Sequence, residues 1–265
     1  MKRQLTTIVL ILAILGVSSP GAKGNWPNGK KAAIVLTYDD GLDSHLNIAI
    51  PQLNKFDFKS TFFLYGHIAE KDISEWRKVS HQGHELGNHS LFHPCSGNGS
   101  IPLSPRFISE NYDVPSMMRE IEAMNKLLFA ITGEHTNSYA YPCSEMMIGG
   151  IDYSTILGAS DLIRFARCGG DRSIITDFKG LNYFKVPTFA VPPGSDSTVL
   201  IDYAKDVLKK GGVGIYVFHG IGGDYLSINA KDHLALLEYL SVHYKEIWVA
   251  TFNEVMEYIQ NNVNK

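Results

Sequence analysis

The run Ala32-Ala33-Ile34-Val35-Leu36-Thr37 constrains the fold more than any other stretch. It is continuously apolar and partly β-branched, the pattern of a parallel strand buried on both faces. It ends in Tyr38-Asp39-Asp40-Gly41, so two carboxylates stand at its C-terminal end. In parallel α/β architectures that end is where ligands bind. Such a strand needs parallel neighbours, and these are reached through crossover helices.

The chain supplies both. After a polar lead-in at 26–31, residues 43–56 read as a helix broken near Pro51, and 60–66 as the next strand. Residues 75–82 form a short helix with Trp76 and Val79 inward, stopped by Gly83, and 85–88 a short strand that delivers His89. Residues 94–115 show no period; a loop of that length in a compact domain is often functional. Met117, Ile121, Met124 and Leu128 then mark one face of a helix over 117–128. Strands are expected at 138–143, 162–167, 184–191 (irregular, because of Pro187), 214–220 and 247–251. Helices are expected at 153–158, 198–210, 229–243 and 253–260. The alternation implies a parallel sheet or barrel. It continues on both sides of the turn at 193–197, so the reading is a single domain.

A chain of 265 residues suits one α/β barrel. Its 24 basic and 27 acidic residues include no basic run after the N-terminus, which argues against nucleic acid as a partner. Lys2 and Arg3, the apolar run 8–17 and the small residues 18–22 read as a signal peptide over residues 1–22. The apolar run is short for a membrane span of roughly 20 residues. The expectation is an exported domain over 23–265, periplasmic or extracellular, with no stable membrane association once the leader is removed. In such a compartment two of Cys95, Cys143 and Cys168 can pair, and their spacing alone leaves the pairing open.

The chemistry concentrates in Gly83-His84-Glu85-Leu86-Gly87-Asn88-His89-Ser90-Leu91-Phe92-His93. His89 and His93 are spaced to aim two imidazoles at one point, and imidazole suits zinc and similar metals. Asp39, Asp40 and His219 fall at other expected strand ends. One carboxylate with two histidines leaves metal positions open for chemistry, and a second carboxylate can serve as a base.

These motifs resemble the polysaccharide deacetylases with the NodB-homology domain, carbohydrate esterase family four, over roughly residues 31–259. Thr37-Tyr38-Asp39-Asp40-Gly41 is similar to the family's T-F-D-D-G, Ser60-Thr61-Phe62-Phe63-Leu64 to its A-T-F-F-V strand, and residues 83–93 to its G-H-E-(I/L)-x-x-H-(S/T)-x-x-H motif. Val217-Phe218-His219 loosely resembles its final L-x-x-H motif. The resemblance implies a distorted (β/α) barrel of about seven parallel strands. It implies a divalent metal, usually zinc, held by Asp40, His89 and His93, with Asp39 as general base and His219 as general acid. The Cys143 backbone N–H would stabilise the oxyanion. The implied reaction removes acetyl groups from a carbohydrate, with N-acetyl groups of a hexosamine polymer or oligomer as the first expectation. O-acetyl groups of a xylan-like glycan are the alternative. A carbohydrate-binding barrel with weak or no turnover is a further alternative, and a two-metal phosphoesterase barrel a third. The acetylated carbohydrate is the expected partner.

The chain also departs from the pattern. Ala140 stands where the family's third motif carries an arginine that tethers the base, and the aspartate-tryptophan motif has no match. Arg167 is the expected substitute for that arginine, and Asp171 the weaker candidate to support His219. A Cys95–Cys143 disulfide would brace the rim, since both cysteines follow site motifs. Phe107, Tyr112 and Tyr141 are candidates for substrate contact.

Overall fold

The computed structural model describes residues 26–99 and 103–263, so the leader expected at 1–22 lies outside the described residues. The strands are β1 (Ala32–Asp39), β2 (Thr61–Leu64), β3 (Glu85–Asn88), β4 (Ser138–Ala140), β5 (Met147–Ile148), β6 (Ile151–Asp152), β7 (Phe165–Arg167), β8 (Ile174–Ile175), β9 (Phe189–Ala190), β10 (Val213–Phe218) and β11 (Ile247–Ala250). The helices are α1 (Ile50–Lys55), α2 (Ile73–His81), α3 (Val114–Thr132), α4 (Ser154–Gly158), α5 (Ser197–Lys210), α6 (Ala230–Val242) and α7 (Phe252–Tyr258).

β1 is central. Parallel pairing runs from β10 through β1, β2, β3 and β4 to β7. Val186 makes a parallel bridge to Arg167, and β9 pairs with β10. Residues 186–190 therefore join the two ends of the run and complete a distorted barrel of seven parallel strands. The strand expected at 247–251 forms as β11 but stands outside the ring. It pairs with the first half of β1, at Ala32–Val35, while β2 pairs with Thr37, Tyr38 and Asp39. A hairpin of β5 and β6 and the antiparallel strand β8 are additions that the alternation did not indicate.

Strand parity sorts the core. Along β1, Ala32, Ile34, Leu36 and Tyr38 pack under the helices, whereas Ala33 and Val35 fill the barrel with Phe63, Ala140, Phe165, Val213 and Ile215. Successive strand residues point to opposite faces, so Asp39 shares the inward parity of Val35. By the same count His89 follows Gly87, Arg167 follows Phe165, and His219 follows Ile215 and Val217. A side chain on Gly87 would meet the Phe63 ring at 2.5 Å, so this position keeps the barrel packed beneath the site.

Local sequence explains the helix boundaries. Asp113 accepts from the Ser116 N–H, and Pro115 occupies the first turn of α3, so the helix begins three residues before its first buried methionine. Gly133 and Gly211 end α3 and α5 in the left-handed conformation. Thr251 and Glu254 form a reciprocal capping box at α7. The helix expected to break at Pro51 instead stays continuous. Residues His45–Ala49 wind as a π-helix, with the Ile50 N–H on the His45 carbonyl, before α1 carries Pro51 in its first turn. Trp26 belongs to the core rather than to a polar lead-in: it is buried against Phe178, Trp248 and Tyr258. Among the described residues no helix is long and apolar enough to cross a membrane.

Candidate active site

Asp39, Asp40, His89, His93, Arg167 and His219 converge at the C-terminal end of the barrel. Asp40 leaves β1 with φ 78°, and Gly41 follows with φ 64°. This left-handed pair turns the Asp40 carboxylate back over the strand end. His89 continues β3, its N–H on the Leu64 carbonyl at 2.9 Å. The loop after it is built by Asn88, which accepts from the Ser90 N–H at 2.7 Å, and by Ser90 Oγ, which accepts from the His93 N–H at 2.9 Å. Glu120 of α3 accepts from the Phe92 N–H at 3.1 Å. That buried carboxylate has its pKa raised by burial, the hydrogen bonds from Phe92 and Tyr112 notwithstanding.

The three metal-type donors lie close together. Asp40 Oδ1 is 3.5 Å from His89 Nε2 and 3.3 Å from His93 Nε2, and the two Nε2 atoms are 3.2 Å apart. Donors around one tetrahedral zinc, each at about 2.0–2.1 Å, would stand about 3.3 Å from one another. His89 Nδ1 donates to the Ala140 carbonyl at 2.8 Å, which leaves its Nε2 as an acceptor. Asp40 Oδ1 is buried and accepts no hydrogen bond among the described residues. His93 is held neutral, its pKa near 4, by burial first and His89 second, against the pull of Asp40 and Asp39. A buried carboxylate oxygen facing imidazole lone pairs is costly without a cation. The donor set fits a divalent metal of the zinc type.

Asp39 sits beside this group. Its Oδ2 lies 3.8 Å from His89 Nε2, and its Oδ1 accepts from Arg167 Nη2. Burial alone would raise its pKa from the usual 3.8, yet the carboxyl is held at about 2. The Arg167 charge is the main opposing cause, with His89 and His219 behind it. Arg167 is itself buried, its guanidinium over the Phe63 ring at 4.5 Å. Ala140 and Arg167 are register partners on β4 and β7. An arginine moved from Ala140 to the adjacent strand therefore arrives at the same height in the barrel.

His219 Nε2 is 3.7 Å from Asp40 Oδ2, and the His219 and His93 side chains are 25% and 22% exposed, the accessible edge of the site. The Cys95–Cys143 disulfide is present, with Cα atoms 5.7 Å apart, and Cys168 is free. It brings Cys143 to the histidine loop, because Cys95 Sγ is 3.5 Å from His93 Nδ1.

Two expectations are corrected. Asp171 is exposed and makes no ion pair with His219; the carboxylate that faces His219 is Asp40. Tyr141 is core: its ring packs against Tyr139 and Tyr153, and its hydroxyl donates to the Phe184 carbonyl at 2.9 Å. Tyr112 is half-buried against the same cluster, its hydroxyl tied to Glu120. Phe107 is half-buried on the rim and meets the exposed Phe92 at 6.1 Å between ring centroids.

His45 and Glu120 carry no motif signal, and Tyr225, by sequence an aromatic near a strand end suited to core packing or a sugar ring, has a different task. Tyr225 Oη donates to Asp40 Oδ2 from the loop after β10. His45 Nδ1 accepts from the Leu42 N–H at 3.1 Å while its Nε2 donates to the His219 carbonyl at 2.8 Å. It thereby joins the aspartate turn to the histidine strand. Ser44 Oγ accepts from the Ile221 N–H at 3.1 Å, and Asp224 accepts from the Ser44 N–H at 2.8 Å, so with Tyr225 the same two loops are tied four times.

Residues 27–154 match the family model described as polysaccharide deacetylase. The peptidoglycan-N-acetylmuramic acid deacetylase PdaA of Bacillus subtilis is 28% identical over 116 residues, which are 43% of this chain and 39% of that protein. A peptidoglycan-N-acetylglucosamine deacetylase of Bacillus cereus is 40% identical over 65 residues, 24% of each chain. The matched stretch thus spans well under half the length of these curated relatives. Among solved structures, the Xyl-CE4 domain of a multidomain xylanase from the hindgut metagenome of Trinervitermes trinervoides superposes with a TM-score of 0.54 at 18% identity, over 88% of this chain and 94% of that one. A BA3943 mutant, described as a CE4 family pseudoenzyme, superposes with a TM-score of 0.53 at 18% identity, over 86% of this chain and 68% of that one. These superpositions establish the fold.

Proposed function

Because the chain belongs to the polysaccharide deacetylase family through residues 27–154, we propose that it is a metal-dependent hydrolase that removes acetyl groups from a carbohydrate. The substrate class we assign is an N-acetylated hexosamine polymer or oligomer, in keeping with the peptidoglycan deacetylases among its relatives. The observation that carries the reading is Asp39. It is a buried carboxylate held ionised by Arg167 beside a complete Asp-His-His donor set. Holding a sugar requires no such base.

Asp40, His89 and His93 would hold the metal, with zinc the preferred ion. When bound, it supplies Lewis-acid polarisation of the acetyl carbonyl and lowers the pKa of water. Asp39 Oδ2 accepts the proton of the attacking water, and Arg167 keeps that carboxylate oriented and charged until the proton arrives. The Cys143 N–H stabilises the oxyanion. His219, at the open edge, donates a proton to the departing amine and so prevents its expulsion as an anion. We assign residues 23–265 to one exported catalytic domain behind a leader at 1–22. An N-terminus of the secreted protein that still contains residues 1–22 would refute that assignment.

The test is metal content and acetate release for wild type, Asp39→Asn and His93→Ala on a panel of N- and O-acetylated glycans. Asp39→Asn should keep metal and lose about 10²-fold or more in rate, the scale of general-base catalysis. His93→Ala should lose metal. Undiminished release by Asp39→Asn would remove Asp39 as the base. Release from acetylated xylan alone would move the substrate class to O-acetyl esters. Glycan binding without release, metal present, would make the chain a binding barrel.

A further inference from the structure

The two metal-type histidines are oriented by the same short segment in different ways. His89 Nδ1 donates to the carbonyl of Ala140, the last residue of β4, at 2.8 Å. His93 Nδ1 has a sulfur partner, Cys95 Sγ at 3.5 Å, and Cys95 is bonded to Cys143, three residues beyond Ala140. The partner of a ligand histidine's second nitrogen is normally an oxygen acceptor, which fixes tautomer and ring orientation. Sulfur is a weak acceptor. The His93 ring packs against Tyr65 and His89, but its Nδ1 side is held by the covalent bridge that keeps the sulfur in place.

The backbone supports this. His93 and Cys143 have φ of 52° and 51°, left-handed values for residues that carry side chains. Such conformations persist where surrounding structure over-determines them. Cys95 is further held by two backbone bonds to the loop, its N–H on the Phe107 carbonyl at 3.1 Å and its carbonyl taking the Ser109 N–H at 2.8 Å. The bridge spans 48 residues of sequence and ties the histidine loop covalently to the segment after β4, so cutting it leaves that loop held by hydrogen bonds and packing alone. Cys143 is exposed, which gives a reductant access to the bond.

We infer that the Cys95–Cys143 disulfide is a positioning element for metal retention: breaking it frees His93 and weakens metal binding, while His89 stays fixed on Ala140. Reduction delivers two electrons to the S–S bond, and two protons give two thiols. With a phosphine as reductant, water supplies the oxygen of the phosphine oxide. The inference rests on the reading of Asp40, His89 and His93 as the metal site.

The experiment is zinc titration of metal-stripped full-length protein against a competing chelator, a readout independent of turnover. The samples are the oxidised wild type, the wild type reduced with a phosphine and desalted, Cys95→Ser/Cys143→Ser, and Cys95→Ala/Cys143→Ala. The double variants matter because free thiols in the reduced wild type are themselves zinc ligands. Circular dichroism identifies the folded samples. Zinc affinity in the alanine pair should fall about 10-fold, the low end for loss of a ligand's outer partner. The serine pair should fall in the same direction, and it replaces the alanine pair if that does not fold. A folded bridge-less variant that binds zinc within twofold of the oxidised wild type overturns the inference. An oxidised wild type that binds no zinc overturns instead the assignment of the metal site, so the two failures are distinguishable.

Discussion

Replacing Arg167 with methionine isolates the charge that sets Asp39. Methionine retains an apolar stem over Phe63, whose ring the guanidinium covers, and removes the cation. Asp39 has its pKa moved from 3.8 to about 2, against the opposing effect of its own burial. At about 1.4 kcal/mol per pH unit, that depression is worth on the order of 2–3 kcal/mol. In the wild type this stabilisation is fully present above the unfolded pKa and is lost as pH falls through the folded value, between about 4 and about 2. Without Arg167, burial becomes the dominant influence and the Asp39 pKa rises above 3.8. The variant then loses stability as pH rises past about 4, because its unfolded state ionises more readily than its native state. Removing one partner of a buried pair costs about 3–5 kcal/mol. The stability gap between wild type and variant should therefore be about that size at pH 7 and shrink steadily towards pH 4. The assay is urea unfolding of both proteins, metal-free, across pH 4–7, with the difference taken at each pH so that groups common to both cancel. A gap that does not change with pH would show that Arg167 contributes through packing and leaves the ionisation of Asp39 alone.

Other consequences are equally direct. Tyr225→Phe removes the hydroxyl on Asp40 Oδ2; since the site edge admits water, zinc affinity should weaken only about 10-fold, and an unchanged affinity in the same titration would leave Tyr225 without a positioning role. His45, His84 and His233 are buried and hold pKa values near 4, 4 and 3, burial being the first cause in each. These values lie below the usual 6.5, so the unfolded chain binds more protons and stability should fall as pH drops from about 6.5 to about 4, by up to roughly 4 kcal/mol per pH unit for three sites. His93, also near 4, adds a fourth in the metal-free protein, so proton uptake on its unfolding at pH 5, measured in weakly buffered solution, should approach four; uptake below one would contradict it. His45→Phe should lower the uptake by one and, by unfastening the His219 carbonyl from the aspartate turn, reduce turnover more than substrate affinity.

The barrel was legible in the sequence because parallel strands buried on both faces leave a strong signal, as in residues 32–37, and because glycine at 211 marks a helix end; the helix expected at 117–128 runs on to Thr132, where Gly133 stops it. Part of the site was legible because a strand end fixes which side chains point inward: the proposed base Asp39 and the donor His89 follow from parity alone. What escaped was tertiary register. Nothing local distinguishes a structural Tyr225 from one that reaches Asp40 across 185 positions, or shows that His45 will span two loops. Asp171 and Tyr141 failed for the converse reason. Each lies near a site motif in sequence, but the turn after β7 sends Asp171 to solvent, and the parity of β4 sends Tyr141 into the cluster beneath α3. The arginine was half legible: its absence at Ala140 was visible, and only the β4–β7 register shows why the next strand can replace it.

Arg167 is also the residue at which the ring is sewn shut, through its bridge to Val186. The seam of the barrel and the acidity of the proposed base thus meet in one residue, the backbone serving the first and the guanidinium the second. A substitution at Val186 or Pro187 that parts the seam, well away from any donor atom, would register as a base that titrates at higher pH and, by linkage, as a matching loss of stability near neutral pH. In this chain the pH–rate profile doubles as a gauge of whether the barrel is closed.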